Sequence, residues 1–307
     1  MNETTKTVFE KYEIRKSGKQ KAAFREFVKS VATENGYKFS VHEGSMGAKN
    51  IVIGEPTSAK VIYTAHYDTC PVLPFPNFIT PKNFGIYLLY QLFITVVLIA
   101  VIFPIAFGAG MIATVTGTEW LETPIRYVLY FGILYLLLAG PANKHTANDN
   151  TSGVCTLLSI MEALDPSQRD KVAFVFFDLE ETGLIGSASF AKIYNKRLSN
   201  TPVVNFDCVS DGENMLFVLK KGSKHLKETI EKAFEPIDGI SVEVADKGVF
   251  YPSDQKNFNC GVGVAALKKT KKGILYMDRI HTKRDTVYRE ENVEFLKNGA
   301  VRLIDLL

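Results

Sequence analysis

The chain is poor in cysteine, and the few cysteines it has are widely spaced. It contains Cys70, Cys155, Cys208 and Cys260 among 307 residues, and no two of them form a C-x-x-C pair. This argues against a structural zinc site and against a disulfide framework. We therefore interpret the cysteines as small apolar side chains in a protein of a reducing compartment.

An excess of one charge is also missing. The formal net charge is only +3, and no Lys/Arg cluster is interleaved with aromatic residues, so nothing predicts a nucleic-acid partner. The N-terminal stretch Met1–Ser30 is charged throughout and lacks an apolar segment, so we expect no secretory signal peptide there. Hydrophobic residues make up 46% of the chain, which is enough for a sizeable core in one or two domains.

A long apolar run interrupts this ordinary composition. No charged residue occurs between Lys82 and Glu119, and the centre of the run extends from Ile86 to Phe107. A membrane span needs about 20 apolar residues, so the run predicts a transmembrane helix. Pro104 and the glycines after it predict a kink or a frayed end there.

A second apolar run, Tyr127–Asn143, is close to the lower limit for a span. The connector Gly117–Arg126 carries a small negative charge, whereas the outer flanks carry Lys82 and Lys144. The positive-inside rule then places both flanks in the cytoplasm. We expect a multi-pass protein of the cell membrane that contacts the lipid bilayer through residues 84–142, with the remainder of the chain cytoplasmic.

Other interpretations of the apolar runs stay open. They could form a buried helical lid or an arm that makes a homo-oligomer. A hairpin that enters only one leaflet of the bilayer is a further variant.

The remainder of the chain alternates strand-like and helix-like segments. Strands are predicted at Asn50–Ile53, Lys60–Ala65, Lys171–Phe177, Pro202–Phe206, Met215–Leu219 and Gly263–Leu267. Helices are predicted at Ala22–Asn35, Thr151–Leu164, Gly186–Tyr194, Leu226–Phe234 and Glu291–Leu306. This order predicts an α/β three-layer sandwich with a mostly parallel, mixed central sheet. We expect one domain made of residues 1–72 and 145–307, with an inserted apolar helical hairpin at 73–144.

Polar residues follow the apolar strands. The groups are His66 and Asp68, then Asp178 with Glu180 and Glu181, then Asp207, then Asp278 and His281, while Asp149 lies just before a helix. Open α/β sheets bind ligands at the carboxyl ends of their strands, so these groups should gather at one edge. Imidazole together with carboxylate suits a catalytic zinc site.

Two spacings add detail to this expectation. His66 and Asp68 are two residues apart, so on a strand they share a face and Asp68 can accept a hydrogen bond from the imidazole. Glu180 and Glu181 are adjacent and diverge, so one can bind metal while the other faces water. Each of these motifs is weak alone, and the prediction depends on all of them together.

The order of the motifs resembles the family of zinc exopeptidases that includes bacterial leucyl aminopeptidases and glutamate carboxypeptidases. The matching stretches are TAHYDT (64–69), ANDNTSGV (147–154), FFDLEETGLIGS (176–187), NFDCV (205–209), SDQKNFNCGVGVAAL (253–267) and IHTKRDT (280–286). The resemblance implies two zinc ions per chain. It implies that His66 and Asp207 hold one ion, that Glu181 and His281 hold the other, and that Asp149 bridges them.

The same resemblance implies further roles. Glu180 would be the general base, Asp68 would orient His66, and the Ser253–Asp254 stretch would lie near the substrate pocket. The implied reaction is hydrolysis of one terminal residue of a peptide, most often at a free N-terminus. The long link between His66 and Asp149, which holds the apolar runs, departs from the family pattern and affects how substrate reaches the site.

Two alternatives remain at this point. One is a glutaminyl-cyclase-type acyltransferase, which resembles the same family but works with a single zinc. The other is an inactive membrane receptor or scaffold on the same fold, against which the retained ligand set argues.

Overall fold

The structure is a computed structural model that describes the backbone of residues 1–307 and every side chain except that of Glu119. A nine-stranded mixed sheet forms its centre, in the order β1-β2-β4-β3-β5-β8-β6-β7, with β9 paired to β8. The strands are β1 Phe39–Glu43, β2 Lys49–Ile53, β3 Val61–His66, β4 Val172–Phe177, β5 Val203–Phe206, β6 Asn214–Leu219, β7 Ser241–Ala245, β8 Gly261–Lys269 and β9 Leu275–Tyr276.

The middle of the sheet is parallel. Strands β4, β3, β5 and β8 run side by side in one direction, whereas β1, β2 and β6 add antiparallel pairings towards the edges. Every residue of β3, β4 and β5 is buried. Continuous apolar strands of this kind need cover on both faces, because each pleat directs alternate side chains to opposite sides.

Helices supply that cover, and they are α1 Glu3–Tyr12, α2 Gly18–Glu34, α3 Phe84–Thr116, α4 Glu122–Ala139, α5 Gly153–Ala163, α6 Pro166–Arg169, α7 Ile185–Tyr194, α8 Lys227–Ala233 and α9 Glu290–Leu306. Tyr63 of β3 packs in the core that α1, α2, α5, α8 and α9 form. The neighbouring Ile62 packs on the other face, in a smaller core with Phe190 of α7. The predicted three-layer α/β sandwich is therefore confirmed.

The element ends differ from the sequence expectation in one place that matters for the site. Helix α5 begins at Gly153, not at Thr151, because residues Ala147–Ser152 form a separate π-helical turn. All six residues of that turn are buried. The turn is the segment that carries Asp149.

The two apolar runs form an exposed helical pair. Helix α3 has 33 residues, a length of about 50 Å, and α4 has 18, about 27 Å. Both are long and apolar enough to cross a membrane, and none of the most apolar window of either helix is buried. This exposure is inconsistent with the alternative that the two runs form a lid buried within this chain.

Helix α3 also continues through Pro104, so of the predicted kink or frayed end the frayed end is wrong. It ends at Thr116, and the next residue, Gly117, has a φ of 67°, the left-handed conformation that commonly terminates helices. At the tip, Arg126 forms an ion pair with Glu122 one turn earlier on α4. Only residues 117–121 separate α3 from α4, and the two helices contact each other, so the connector is a tight turn.

Candidate metal centre

The site lies where the central parallel strands end. His66 is the last residue of β3, Glu180 and Glu181 follow β4, and Asp207 follows β5. Because these strands are neighbours and parallel, their carboxyl ends meet at one edge. The turn before α5 brings in Asp149.

The loop before α9 adds His281. The side chains form two clusters that share Asp149, and His66, Glu180 and Glu181 form a third group of potential ligands. In the first, His66 Nε2 lies 3.3 Å from Asp149 Oδ1 and 3.5 Å from Asp207 Oδ1. In the second, His281 Nε2 lies 3.1 Å from Asp149 Oδ2 and 3.2 Å from Glu181 Oε2. Asp149 thus offers a different carboxylate oxygen to each cluster.

These spacings fit tetrahedral metal coordination. Two ligands at zinc–nitrogen and zinc–oxygen bond lengths, separated by a tetrahedral angle, lie about 3.3 Å apart. The distances within each cluster are close to that value. In addition, the buried Oε1 of Glu181 has no hydrogen-bond partner in the described structure. The donors, imidazole and carboxylate, are those that zinc accepts.

The thiol of Cys70 lies beside the second cluster. It belongs to a group with Asp149, Glu181 and His281 whose potential ligand atoms all fall within 4.8 Å of one another. Burial raises the pKa of the Cys70 thiol well above its ordinary value, which keeps the thiol protonated. All four cysteines are free and buried. The thiol of Cys208 also lies at the site, 3.2 Å from Asp207 Oδ1, and the spacing of the cysteines indicated neither position.

The site concentrates negative charge around the histidines. Burial alone would lower the pKa of His66, but Glu180, Asp149 and Asp207 raise it well above its ordinary value. Burial likewise opposes protonation of His281, yet Glu181 and Asp149 raise its pKa to about 9. Without a cation, the imidazoles therefore hold protons, which shows how strongly this cavity favours positive charge.

The pKa values of the carboxyl groups at the site are shifted in both directions. Burial raises the pKa of Glu181 to about 8 and that of Asp254 to about 7. It also raises the pKa of Glu180 well above its ordinary value, with the charges of Asp207 and Asp254 adding to the shift. Burial acts in the same sense on Asp149, but hydrogen bonds and charge from the histidines outweigh it and lower its pKa.

Asp68 makes contacts that differ from the expected ones. Its carboxylate lies 3.7 Å from His66 Nδ1, beyond hydrogen-bond distance. The ring nitrogen instead lies 3.2 Å from the backbone oxygen of Asp68. The carboxylate accepts hydrogen bonds from the backbone N–H groups of Glu180 and Glu181, at 3.0 and 3.2 Å. Asp68 thus ties the end of β3 to the loop after β4.

Two asparagines hold the loops around Asp149 in place, and the sequence had predicted no role for either. The Oδ1 atom of Asn148 accepts backbone hydrogen bonds from Ser210 and Asp211. Asn150 Oδ1 accepts one from Cys208, next to Asp207. These amides hold the Asp149 turn against the loop after β5.

Three loops of the site have a residue in the left-handed backbone region. Leu179 precedes Glu180 with a φ of 55°, Cys208 follows Asp207 with a φ of 56°, and His281 itself has a φ of 63°. Such conformations are costly for residues with a side chain and concentrate at functional sites. Here they turn the chain sharply at the residues that approach the clusters.

A cavity of about 340 Å³ opens onto the clusters. His66, Asp149, Glu180, Glu181, Asp207 and His281 line it. It is also lined by residues that we call its rim, namely Asn77, Ile79, Tyr251, Pro252 and Lys256. The Ser253–Asp254 stretch lies in sequence between two rim residues. Asp178, by contrast, turns away and pairs with Lys21 at 2.7 Å, and Asp278 pairs with Lys268.

Solved structures share this fold at low sequence identity. The LapA aminopeptidase of Legionella pneumophila is 14% identical, with a TM-score of 0.57 over 99% of this chain and 68% of that one. A Zn-dependent exopeptidase from Parabacteroides distasonis is 14% identical, with a TM-score of 0.57 over 98% and 97%. The glutaminyl cyclase of Bacteroides thetaiotaomicron is 15% identical, with a TM-score of 0.60 over 98% and 94%.

Sequence comparison adds a family assignment. No curated protein matches the chain by sequence. Residues 133–302 match peptidase family M28. The matched region extends from within α4 to α9 and contains Asp149, Glu180, Glu181, Asp207 and His281. Because it spans more than half of the sequence and the solved relatives share the fold, the chain belongs to peptidase family M28.

Proposed function

We propose that the chain is a membrane-anchored aminopeptidase that uses two zinc ions. Family M28 and its structural relatives are zinc-dependent exopeptidases, with glutaminyl cyclases among the neighbours of similar fold. The observation that carries the proposal is the position of Asp149, whose two carboxylate oxygens face two different histidines. A single-ion site has no need for that arrangement.

We assign the ligands accordingly. His66 and Asp207 would hold one ion, Glu181 and His281 would hold the other, and Asp149 would hold both. Zinc bound there supplies Lewis acidity to the scissile carbonyl and to the attacking water. The rim of the cavity would hold the terminal residue of the peptide.

Glu180 is the proposed general base. It lines the cavity beside Glu181, where its carboxylate can accept a proton from the attacking water. It would take a proton from the attacking water and pass it to the nitrogen of the leaving amine. The backbone N–H of Glu180 donates a hydrogen bond to the Asp68 carboxylate, and this bond fixes the position of the loop that carries Glu180.

The test combines a metal count with a substrate panel. The purified full chain should contain close to two zinc ions and should hydrolyse aminoacyl and dipeptide substrates. Glu180→Gln should keep the metal and lose about 10²–10⁴-fold in kcat. Glu231→Gln, the same change at an exposed residue, is the matched control. Wild-type turnover by Glu180→Gln would remove Glu180 from the mechanism.

A second candidate is glutaminyl cyclisation. Three bacterial glutaminyl cyclases share the fold, one with a TM-score of 0.60. A peptide with an N-terminal glutamine separates the two reactions, because a cyclase releases ammonia and leaves a pyroglutamyl peptide whereas a peptidase releases free glutamine. One zinc per chain together with ammonia release would favour the cyclase. A purified chain without zinc or turnover would favour an inactive scaffold.

The membrane anchor is the remaining part of the proposal. The exposure and composition of α3 and α4 support it, since an apolar surface of this size is rarely left in water. In this proposal residues 73–144 are a hairpin inserted into a catalytic domain of residues 1–72 and 145–307. Residues 84–142 contact the bilayer, and the catalytic domain is cytoplasmic. Recovery of the full chain without detergent would contradict it.

A further inference from the structure

The rim of the cavity is attached to the first two turns of α3 on one side. Tyr90 of α3 donates a hydrogen bond to the backbone oxygen of Pro76 at 2.7 Å, and its ring lies 5.1 Å from that of Phe78. Asn77 and Ile79, on either side of Phe78, line the cavity. This rim segment is therefore held by the helix.

The same segment is bound to the loop that carries His281. Leu73 N–H donates to the backbone oxygen of His281 at 2.7 Å, and Asn77 N–H donates to that of Ile280 at 3.3 Å. Ile79 pairs with Met277 in both directions, at 3.0 and 3.1 Å. The start of the apolar hairpin is thus part of the wall of the candidate site.

A second rim segment, Tyr251–Pro252, is attached to the same part of the chain. Phe250 N–H donates to the backbone oxygen of Pro81 at 2.8 Å. The ring of Phe250 lies 5.3 Å from that of Phe84 and 5.7 Å from that of Tyr87. Tyr251 and Pro252, the next residues, line the cavity. Two separate rim segments are therefore held at the level of Phe84–Tyr90.

The exposed apolar surface of α3 begins at this level. Leu88 is 55% and Leu89 67% exposed, and the aromatic side chains at the base are of the kind that lies at membrane interfaces. A bilayer that covers this surface would have its boundary beside the cavity. The first seven residues of α3 span only about 10 Å along the helix axis.

We propose that the site acts on peptides that are themselves held in the membrane, with a short free end at the bilayer surface. This inference rests on the proposed aminopeptidase function and adds the substrate class. A peptide with an apolar or amphipathic anchor would share the bilayer with α3 and α4, so its free N-terminus would be concentrated at the opening. A peptide in solution has no such advantage.

The test uses the zinc-loaded full chain in vesicles of phosphatidylcholine and phosphatidylglycerol. The probes share one N-terminal sequence, followed by a Gly/Ser spacer and an apolar anchor of about 20 residues. Each is placed either in the same vesicles as the protein or in separate vesicles, and a soluble peptide without an anchor is the reference. Release of the terminal residue is measured at the same total peptide concentration in all three arrangements.

We expect anchored peptide in the same vesicles to be cleaved at least about tenfold faster than the other two arrangements. Spacers of about three to six residues should suffice, because an extended residue covers about 3.3 Å and the opening is close to the interface. Equal rates for all three arrangements, or cleavage only with spacers longer than about 12 residues, would overturn the inference. Failure to cleave even the soluble peptide would instead contradict the proposed peptidase function.

Discussion

The carboxylate of Asp285 accepts a hydrogen bond from the backbone N–H of Asp149 at 3.0 Å. Its other oxygen accepts one from Asn148 at 2.8 Å. Asp285 lies close in sequence to His281, so these bonds join the loop of one proposed ligand to the turn that carries another. Asp285 is not one of the candidate ligands among the described residues, and it acts by positioning Asp149.

Asp285→Asn should weaken zinc binding about 10- to 100-fold, the usual effect of losing an outer contact of this kind. The amide keeps one acceptor oxygen, but its NH₂ group faces the second backbone N–H. Affinity is measured by competition with a chromophoric chelator. Asp278→Asn is the matched control, since Asp278 pairs with Lys268 away from the clusters. An unchanged affinity for Asp285→Asn would contradict the positioning role.

Removal of the buried Arg15 guanidinium should destabilise the fold. Arg15 donates to the backbone oxygens of Tyr67, Tyr12 and Glu13 and to the hydroxyl of Thr151. Arg15→Met would leave the buried backbone oxygen of Tyr67 without this donor and would remove the three other hydrogen bonds, so we expect a loss of about 3 kcal/mol in the free energy of unfolding.

Chemical unfolding in detergent, followed by circular dichroism, measures the effect of Arg15→Met. Arg197→Met changes an exposed arginine and should alter the free energy of unfolding by less than about 0.5 kcal/mol. A similar small change for both variants would show that the Arg15 bonds contribute little.

Zinc binding should release protons at neutral pH. In the metal-free chain the pKa of His281 is raised to about 9 and that of Glu181 to about 8, so both groups hold protons at pH 7. A metal must displace them, so apparent affinity should rise as the pH increases from 6 towards 9.

Calorimetry in buffers of different ionisation enthalpy counts the protons released on zinc binding. His281→Gln should reduce their number, and His225→Gln, at an exposed histidine, should not. A binding enthalpy that does not depend on the buffer would contradict this prediction.

The orientation of the hairpin can be tested with one new thiol. Trp120 at the tip is 74% exposed, whereas all native cysteines are buried, so background labelling should be low. Trp120→Cys should react with a membrane-impermeant maleimide on intact cells. Ser199→Cys, at an exposed residue of the catalytic part, should react only after lysis. The reverse pattern would place the catalytic part outside.

Much of the fold could be predicted because the central strands are continuous apolar runs. The strand expected at Lys171–Phe177 is observed at Val172–Phe177, and the one expected at Pro202–Phe206 at Val203–Phe206. Strands β1 and β7 were missed, because edge strands are partly exposed and lack such a run.

The positions of the proposed ligands followed from one rule, that parallel strands end together. The contacts between their loops did not. Asp68 binds the loop after β4 because β3 and β4 are neighbouring parallel strands. The local spacing of residues in the sequence does not show which strands are neighbours. The roles of Asp285 and Arg15 depend likewise on residues distant in sequence.

The attachment of two rim segments to one helix has a mechanical consequence. At about 50 Å, α3 is longer than the roughly 30 Å hydrocarbon layer that it would cross. A helix of excess length tilts, and the tilt changes with bilayer thickness. The loops at Phe78 and Phe250 would then follow the helix together, so a thinner or thicker membrane would shift both of them relative to the proposed metal ligands on the sheet.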